Sequence, residues 1–219
     1  DGYSDVAVGA YRYDSGTTDG GAVFVFNGGP SGIASGNELT ASSRLHQVQA
    51  GDRLGLSVDG AGDVNGDGYS DLITGSPAGA NGQTNEGLVH IVHGRAEGIP
   101  TGLVSSLSSG TIESDQTGAA IGSCVRGAGD VNGDGYADVI VGAETWDGNF
   151  IDEGGVCLFL GRAGGIPNGS PFFNDSAILE GNQPAAFFGV SVAGAGDVDG
   201  DGYADVIVGA HRYDGSATN

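Results

Sequence analysis

Short apolar runs of strand length, separated by glycine-rich polar stretches, recur from one end of the chain to the other. One set follows an aspartate: Val6–Val8 after Asp5, Leu72–Thr74 after Asp71, Val139–Val141 after Asp138 and Val206–Val208 after Asp205. Each is closed by Gly-Ala or Gly-Ser. A second set, Ala22–Phe26, Leu88–Val92 and Val156–Leu160, is led by glycine and ends near Gly28, Gly94 or Gly161. A weaker third is expected around Glu38–Thr40, Val104–Leu107 and Ala177–Leu179. A fourth, Leu54–Val58, Ile121–Val125 and Phe188–Val192, leads into the next aspartate-rich stretch.

The runs repeat in register. Asp63–Asp71 recurs as Asp130–Asp138 and Asp197–Asp205, each step being 67 residues. Gly60-Ala-Gly62 and its copies precede these stretches, and Gln49, Gln116 and Gln183 mark one upstream position. Four antiparallel strands per repeat make the blade of a β-propeller. The expected fold is therefore all-β, a single segment over residues 1–219 with units near 1–53, 54–120, 121–187 and 188–219, the first and last incomplete. Two whole blades lie near 54–116 and 121–183, and thirteen strands make about three blades in all. A ring needs at least about four blades. The expectation is a partial ring, closed by missing blades or by a second copy, and the opening inside a fourth loop copy favours a fragment.

The nonapeptides carry the chemistry. Calcium takes six to eight oxygens at about 2.3–2.6 Å. Asp63, Asn65 and Asp67 present oxygens from alternate positions, Tyr69 offers its carbonyl and Asp71 closes the site. Asp130, Asn132, Asp134, Tyr136 and Asp138 do the same, as do Asp197, Asp199, Asp201, Tyr203 and Asp205. Glycines such as Gly66 and Gly68 permit the sharp turn. An EF-hand would place glutamate at position 12 between helices; here that position is Thr74, Val141 or Val208, inside a β-branched run. Three complete structural Ca2+ sites are expected, with Asp1, Tyr3 and Asp5 as a possible half-site.

Composition agrees. Glycine contributes 45 residues and proline 6, with 38% apolar residues. Seven cations, all arginine, oppose 28 acidic residues for a net charge of -21, which repels nucleic acid and attracts divalent ions. No run approaches the roughly 18 apolar residues of a membrane span. The chain has no methionine and no signal-peptide pattern, so a mature or excised piece is expected. Cys124 and Cys157, two strands apart in one sheet, would lie roughly 9–10 Å from each other and stay free. His90 and His93 fall on opposite strand faces, and neither they nor His46 and His211 belong to a triad motif, so no enzyme activity is expected.

These residues resemble the Phe-Gly/Gly-Ala-Pro repeats of integrin α-subunit propellers and their bacterial relatives, over essentially the whole chain. Phe188-Gly189 keeps the first signature, Leu54-Gly55 and Ile121-Gly122 soften it, and Gly75-Ser-Pro77 comes nearest the second. The resemblance implies an extracellular or cell-surface module for adhesion or for recognising a protein or glycan. It also implies ligands on the face opposite the calcium loops, where Tyr11, Arg12, Tyr13, Trp146, Arg212 and Tyr213 stand. Rival expectations are an accessory module of a secreted enzyme such as a phospholipase, and a structural repeat of a large surface protein.

Overall fold

The computed structural model describes residues 2–170 and 177–215. The first sheet is formed by β1 (Val6–Ala10), β2 (Ala22–Phe26) and β3 (Ser43–His46), with β7 (Gly102–Leu103) added in parallel at its edge. The second is antiparallel: β4 (Ser57–Gly62), β5 (Asp71–Ser76), β6 (Leu88–Val92) and β8 (Gly110–Glu113). The third repeats it with β9 (Cys124–Gly129), β10 (Asp138–Ala143), β11 (Gly155–Phe159) and β12 (Ala177–Glu180). A hairpin of β13 (Phe188–Gly196) and β14 (Asp205–Ala210) stands last. Among the described residues the strands number the expected thirteen, with the short β7 in addition, as successive blades of a partial propeller, although two of the thirteen stand elsewhere than expected.

Face-to-face stacking explains the β-branched runs. Every residue of β5 and β10 is buried, because each of these strands is covered on both faces. Leu72 joins Val23, Val25 and Leu45 of the first blade, whereas Ile73 joins Val139 and Val141 of the third. Ile140 in turn packs with Val192 of the fourth. Full burial of one such side chain contributes about 1.5–3 kcal/mol, so each interface is held by many such increments. The outward face of β1 is open instead: Val6 and Val8 are 43% and 45% exposed.

Blade contact is close enough to require glycine. A Cβ on Gly75 would collide with the carbonyl of Gly122, and one on Gly142 with that of Gly189. The two signature dipeptides thus meet as backbone against backbone across each interface. Gly55 and Gly122 also take positive φ (81° and 87°) and donate to the carbonyls of Gly75 and Gly142. That turn delays strand entry, so β4 and β9 begin at Ser57 and Cys124 rather than Leu54 and Ile121, and they run on through the Gly-Ala-Gly segments.

The third strand set is corrected in two of its three places. Glu38–Thr40 lies in a turn closed by Thr40 N donating to Asn37 O (3.0 Å), with Leu39 84% exposed, and the strand is β3 instead. Val104–Leu107 forms a single helical turn, α1, which buries Val104 between the first two blades, and the strand is β8. Only β12 falls where expected.

The cysteines are free and buried, two strands apart. Burial pushes the Cys157 thiol up to about 12. Cys124 has a joining role: Val192 N donates to its sulfur (3.4 Å) and the thiol donates to Val192 O (3.9 Å). Ser57 makes the corresponding link, accepting from Val125 N at 3.0 Å and donating to Val125 O at 3.5 Å. The thiol is a serine stand-in.

Candidate metal centres and the opposite rim

The aspartate nonapeptides join β4 to β5, β9 to β10 and β13 to β14, strands on both sides, which excludes the EF-hand arrangement. Each loop wraps its own first carboxylate. Asp63 Oδ1 accepts from Gly66 N (2.7 Å) and Asp67 N (3.1 Å), and its Oδ2 accepts from Gly68 N (2.8 Å). Asp130 and Asp197 repeat this with their own loops, for instance from Gly133 N and Gly200 N, both at 2.7 Å. Gly66 and Gly68 are at φ 75° and 90°, which side chains with a Cβ rarely adopt. Asn65 Oδ1 then accepts from Asp67 N, and Asp67 Oδ1 from Tyr69 N, both at 2.9 Å.

The closing aspartate reaches across the loop. Asp71 Oδ2 accepts from Val64 N (2.9 Å) and its Oδ1 from Gly94 N (2.8 Å), beyond the end of β6. Asp138 does the same with Val131 N and Gly161 N. Burial raises the pKa of both Asp71 and Asp138 above the ordinary carboxylate value, against the pull of these amides, with nearby loop carboxylates adding to it. Asp67, by contrast, is held below it by the Asn65 amide and the Tyr69 N–H.

This donor set fits a hard divalent cation. Oxygens of Asp197, Asp199 and Asp205 all lie within 4.8 Å of one another. Oxygens bound to one calcium at about 2.3–2.6 Å can stand no more than about 5 Å apart, so one ion would reach all three. In the other two loops Asn65 and Asn132 hold the place of Asp199. Of the half-site, Asp5 accepts from Gly28 N at 2.8 Å, matching Asp71 with Gly94, and Tyr3 is 48% exposed. Asp1 lies outside the described residues.

The opposite rim carries the connections between the first and second sets of strands, β1 to β2, β5 to β6 and β10 to β11. Of the six candidate contact residues there, Tyr11, Arg12, Arg212 and Tyr213 are exposed, with Arg12 over the Tyr11 ring (5.5 Å) and Arg212 over Phe187 (5.1 Å). Tyr13 is half-buried, edge-on to Phe24. Trp146 is only 9% exposed and belongs to the core beside Val141 and Ile121. His90 is buried, which pushes its pKa down to about 4, while His93 lies near Asp67 and Asp71 of the second loop.

Two kinds of residue that hold this rim were not singled out for it by sequence reading. Glu86, wholly buried, accepts from Asn81 N and from Gln83 N (3.2 Å); Glu153 accepts from Asn149 N (2.7 Å). Each stands one residue before the glycine that leads a strand, a spacing of 67 residues that was there to be read. Gln116 clasps the next blade, donating to Asp147 O and accepting from Asp147 N, both at 2.8 Å. Gln183 holds Asp214 the same way, at 3.1 and 2.7 Å.

The FG-GAP repeat model matches residues 54–92, 127–156 and 188–219. The chain is 32% identical to integrin alpha-5 of Xenopus laevis and 34% identical to integrin alpha-IIb of Mus musculus, over 97% and 96% of its length. It is 34% identical to integrin alpha-V of Gallus gallus over 83%. It spans about one fifth of the length of these curated relatives (20%, 20% and 17%). The repeats, the blade geometry and these similarities agree: the chain belongs to the FG-GAP repeat β-propellers of the integrin α type.

Proposed function

We propose that this chain is a calcium-stabilised, extracellular recognition module, in which one rim is set by metal ions and the other meets a protein or glycan. The observation that carries the metal half is the convergence of Asp197, Asp199 and Asp205 within 4.8 Å, on a loop whose hydrogen bonds recur in two further blades. Asp63, Asn65, Asp67, Tyr69 and Asp71 would hold one ion, and their counterparts the other two. Calcium supplies the positive charge that loops carrying three or four carboxylates otherwise lack. The protein's own amides orient Asp63 and Asp71 beforehand, so little ordering remains for binding, and binding energy becomes folding energy. The module has no catalytic role in this reading.

The recognition half rests on the integrin relatives and on Tyr11, Arg12, Arg212 and Tyr213, exposed aromatic and arginine residues of the type that dominates binding hot spots. The open face of β1, with Val6 and Val8, and that of β14, where Ile207 is 61% exposed, suit further blades.

A melt in millimolar calcium against one in chelator tests the metal half. At a thousandfold excess over Kd each site adds about 4 kcal/mol, and the melting temperature should rise by about 10 °C or more. Identical melts would refute it. The recognition half is tested by binding to immobilised matrix glycoproteins, before and after glycan removal. If replacing those four residues by alanine leaves every interaction intact, the rim is not the contact surface.

A further inference from the structure

We propose that Tyr136 and Tyr203 are positioning residues for the metal site of the preceding blade, so that neighbouring sites fill cooperatively. The inference rests on the calcium reading above and assigns a part of each centre to a different repeat.

Each loop is touched by the next one at its own donors. The Tyr136 ring lies over Gly66, where an added Cβ would come within 2.6 Å of Tyr136 Cε1; Tyr203 lies over Gly133 in the same way, at 2.7 Å. Gly66 sits between the donors Asn65 and Asp67, and its N–H binds the Asp63 carboxylate. The ring therefore clamps the turn that aims three donors.

The backbone makes a second connection. Ala137 N donates to Asp63 O at 3.0 Å, and Ala204 N to Asp130 O at 2.9 Å. Ala137 lies between Tyr136 and Asp138, both donors of its own loop. A third connection runs from Asp138, which holds Gly161 N, to the adjacent Arg162 N, which donates to Val64 O at 2.9 Å. Whatever fixes Asp138 and the Tyr136 carbonyl thus fixes the groups that hold Asp63. By linkage the effect is reciprocal, so an ion in either site raises the affinity of the other.

The ring atoms nearest Gly66 are carbons, Cε1, Cδ1 and Cζ. Phenylalanine should preserve it and alanine remove it. In calcium titrations of the intact protein, competed against a chromophoric chelator, the wild type should show a Hill coefficient above one. Tyr136→Ala with Tyr203→Ala should bind the same number of ions with a midpoint about fivefold higher or more and a Hill coefficient near one. Tyr136→Phe with Tyr203→Phe should match the wild type. A general loss of stability would instead lower the melt in chelator without moving the midpoint. An alanine variant that titrates like the wild type overturns the proposal and leaves the calcium reading standing, whereas a wild type that takes up no ion overturns both. Should the alanine pair fail to fold, Asp197→Ala serves: the remaining sites should weaken, and an unshifted midpoint for them also overturns the coupling.

Discussion

On the metal rim, Asp63, Asp130 and Asp197 each accept three amides from their own loop, with counterpart lengths agreeing to about a tenth of an ångström. Across the molecule, one and the same turn holds Tyr13, Gly79, Trp146 or Tyr213, each donating to the carbonyl three residues back. Even the buried acid there changes its origin. Glu86 and Glu153 precede Gly87 and Gly154, but the first blade has Gly20 in that place and carries Asp52 where the others have Ala119 and Ala186. A loop whose donors must surround one ion has little freedom to vary. A loop that need only be tied down at a few points can take any side chain its neighbours accommodate, and that freedom suits recognition.

The sharpest test of this contrast is Trp146→Ala. It should cost about 3–5 kcal/mol, equally with and without calcium, because Trp146 packs in the core; a cost that disappears in chelator would mean the rims are not independent. Asp134→Ala should behave oppositely, removing one ion and at least a third of the calcium-dependent rise in melting temperature while changing the melt in chelator far less than Trp146→Ala does. Gln116→Ala should cost about 1–2 kcal/mol for its two hydrogen bonds. Its amides from Asp147 to Glu153 should exchange faster, and calcium affinity should not move.

The smallest effect is expected at Asp52. Burial pushes its pKa up to about 6, with Gln47 pulling the other way. The native state therefore binds more protons than the unfolded state between about pH 4 and pH 6, and stability falls as pH rises through that window. Asp52→Asn should remove the share of that decline due to Asp52, leaving those of Asp71 and Asp138, and raise stability at pH 7 by about 1 kcal/mol. A decline of undiminished size in the variant would show that Asp52 is not among its sources.

The candidate metal loops stand out in the sequence because their oxygen donors are neighbours in the chain and recur in three copies with one exchange, Asp199 for asparagine. The third strand set was misread because apolar residues at Leu39 and Val104 outweighed the repeat. Ser43, Gly110 and Ala177, which begin β3, β8 and β12, stand 67 residues apart, whereas Glu38, Val104 and Ala177 do not. Gln116 showed its spacing but not its task, since Asp147 belongs to the next blade. Trp146, grouped by composition with the exposed aromatics, proved to be core.

Local pattern by itself determined the repeat, the strands and the grouping of oxygen donors, because each is satisfied within about nine residues or by alternation along one strand. Only the stacking of blades decided which glycines must touch, which aromatic is buried, and how Tyr136 comes to lie over Gly66. Those outcomes depend on surfaces about 67 residues apart in sequence meeting at van der Waals distance, which no single repeat can specify alone.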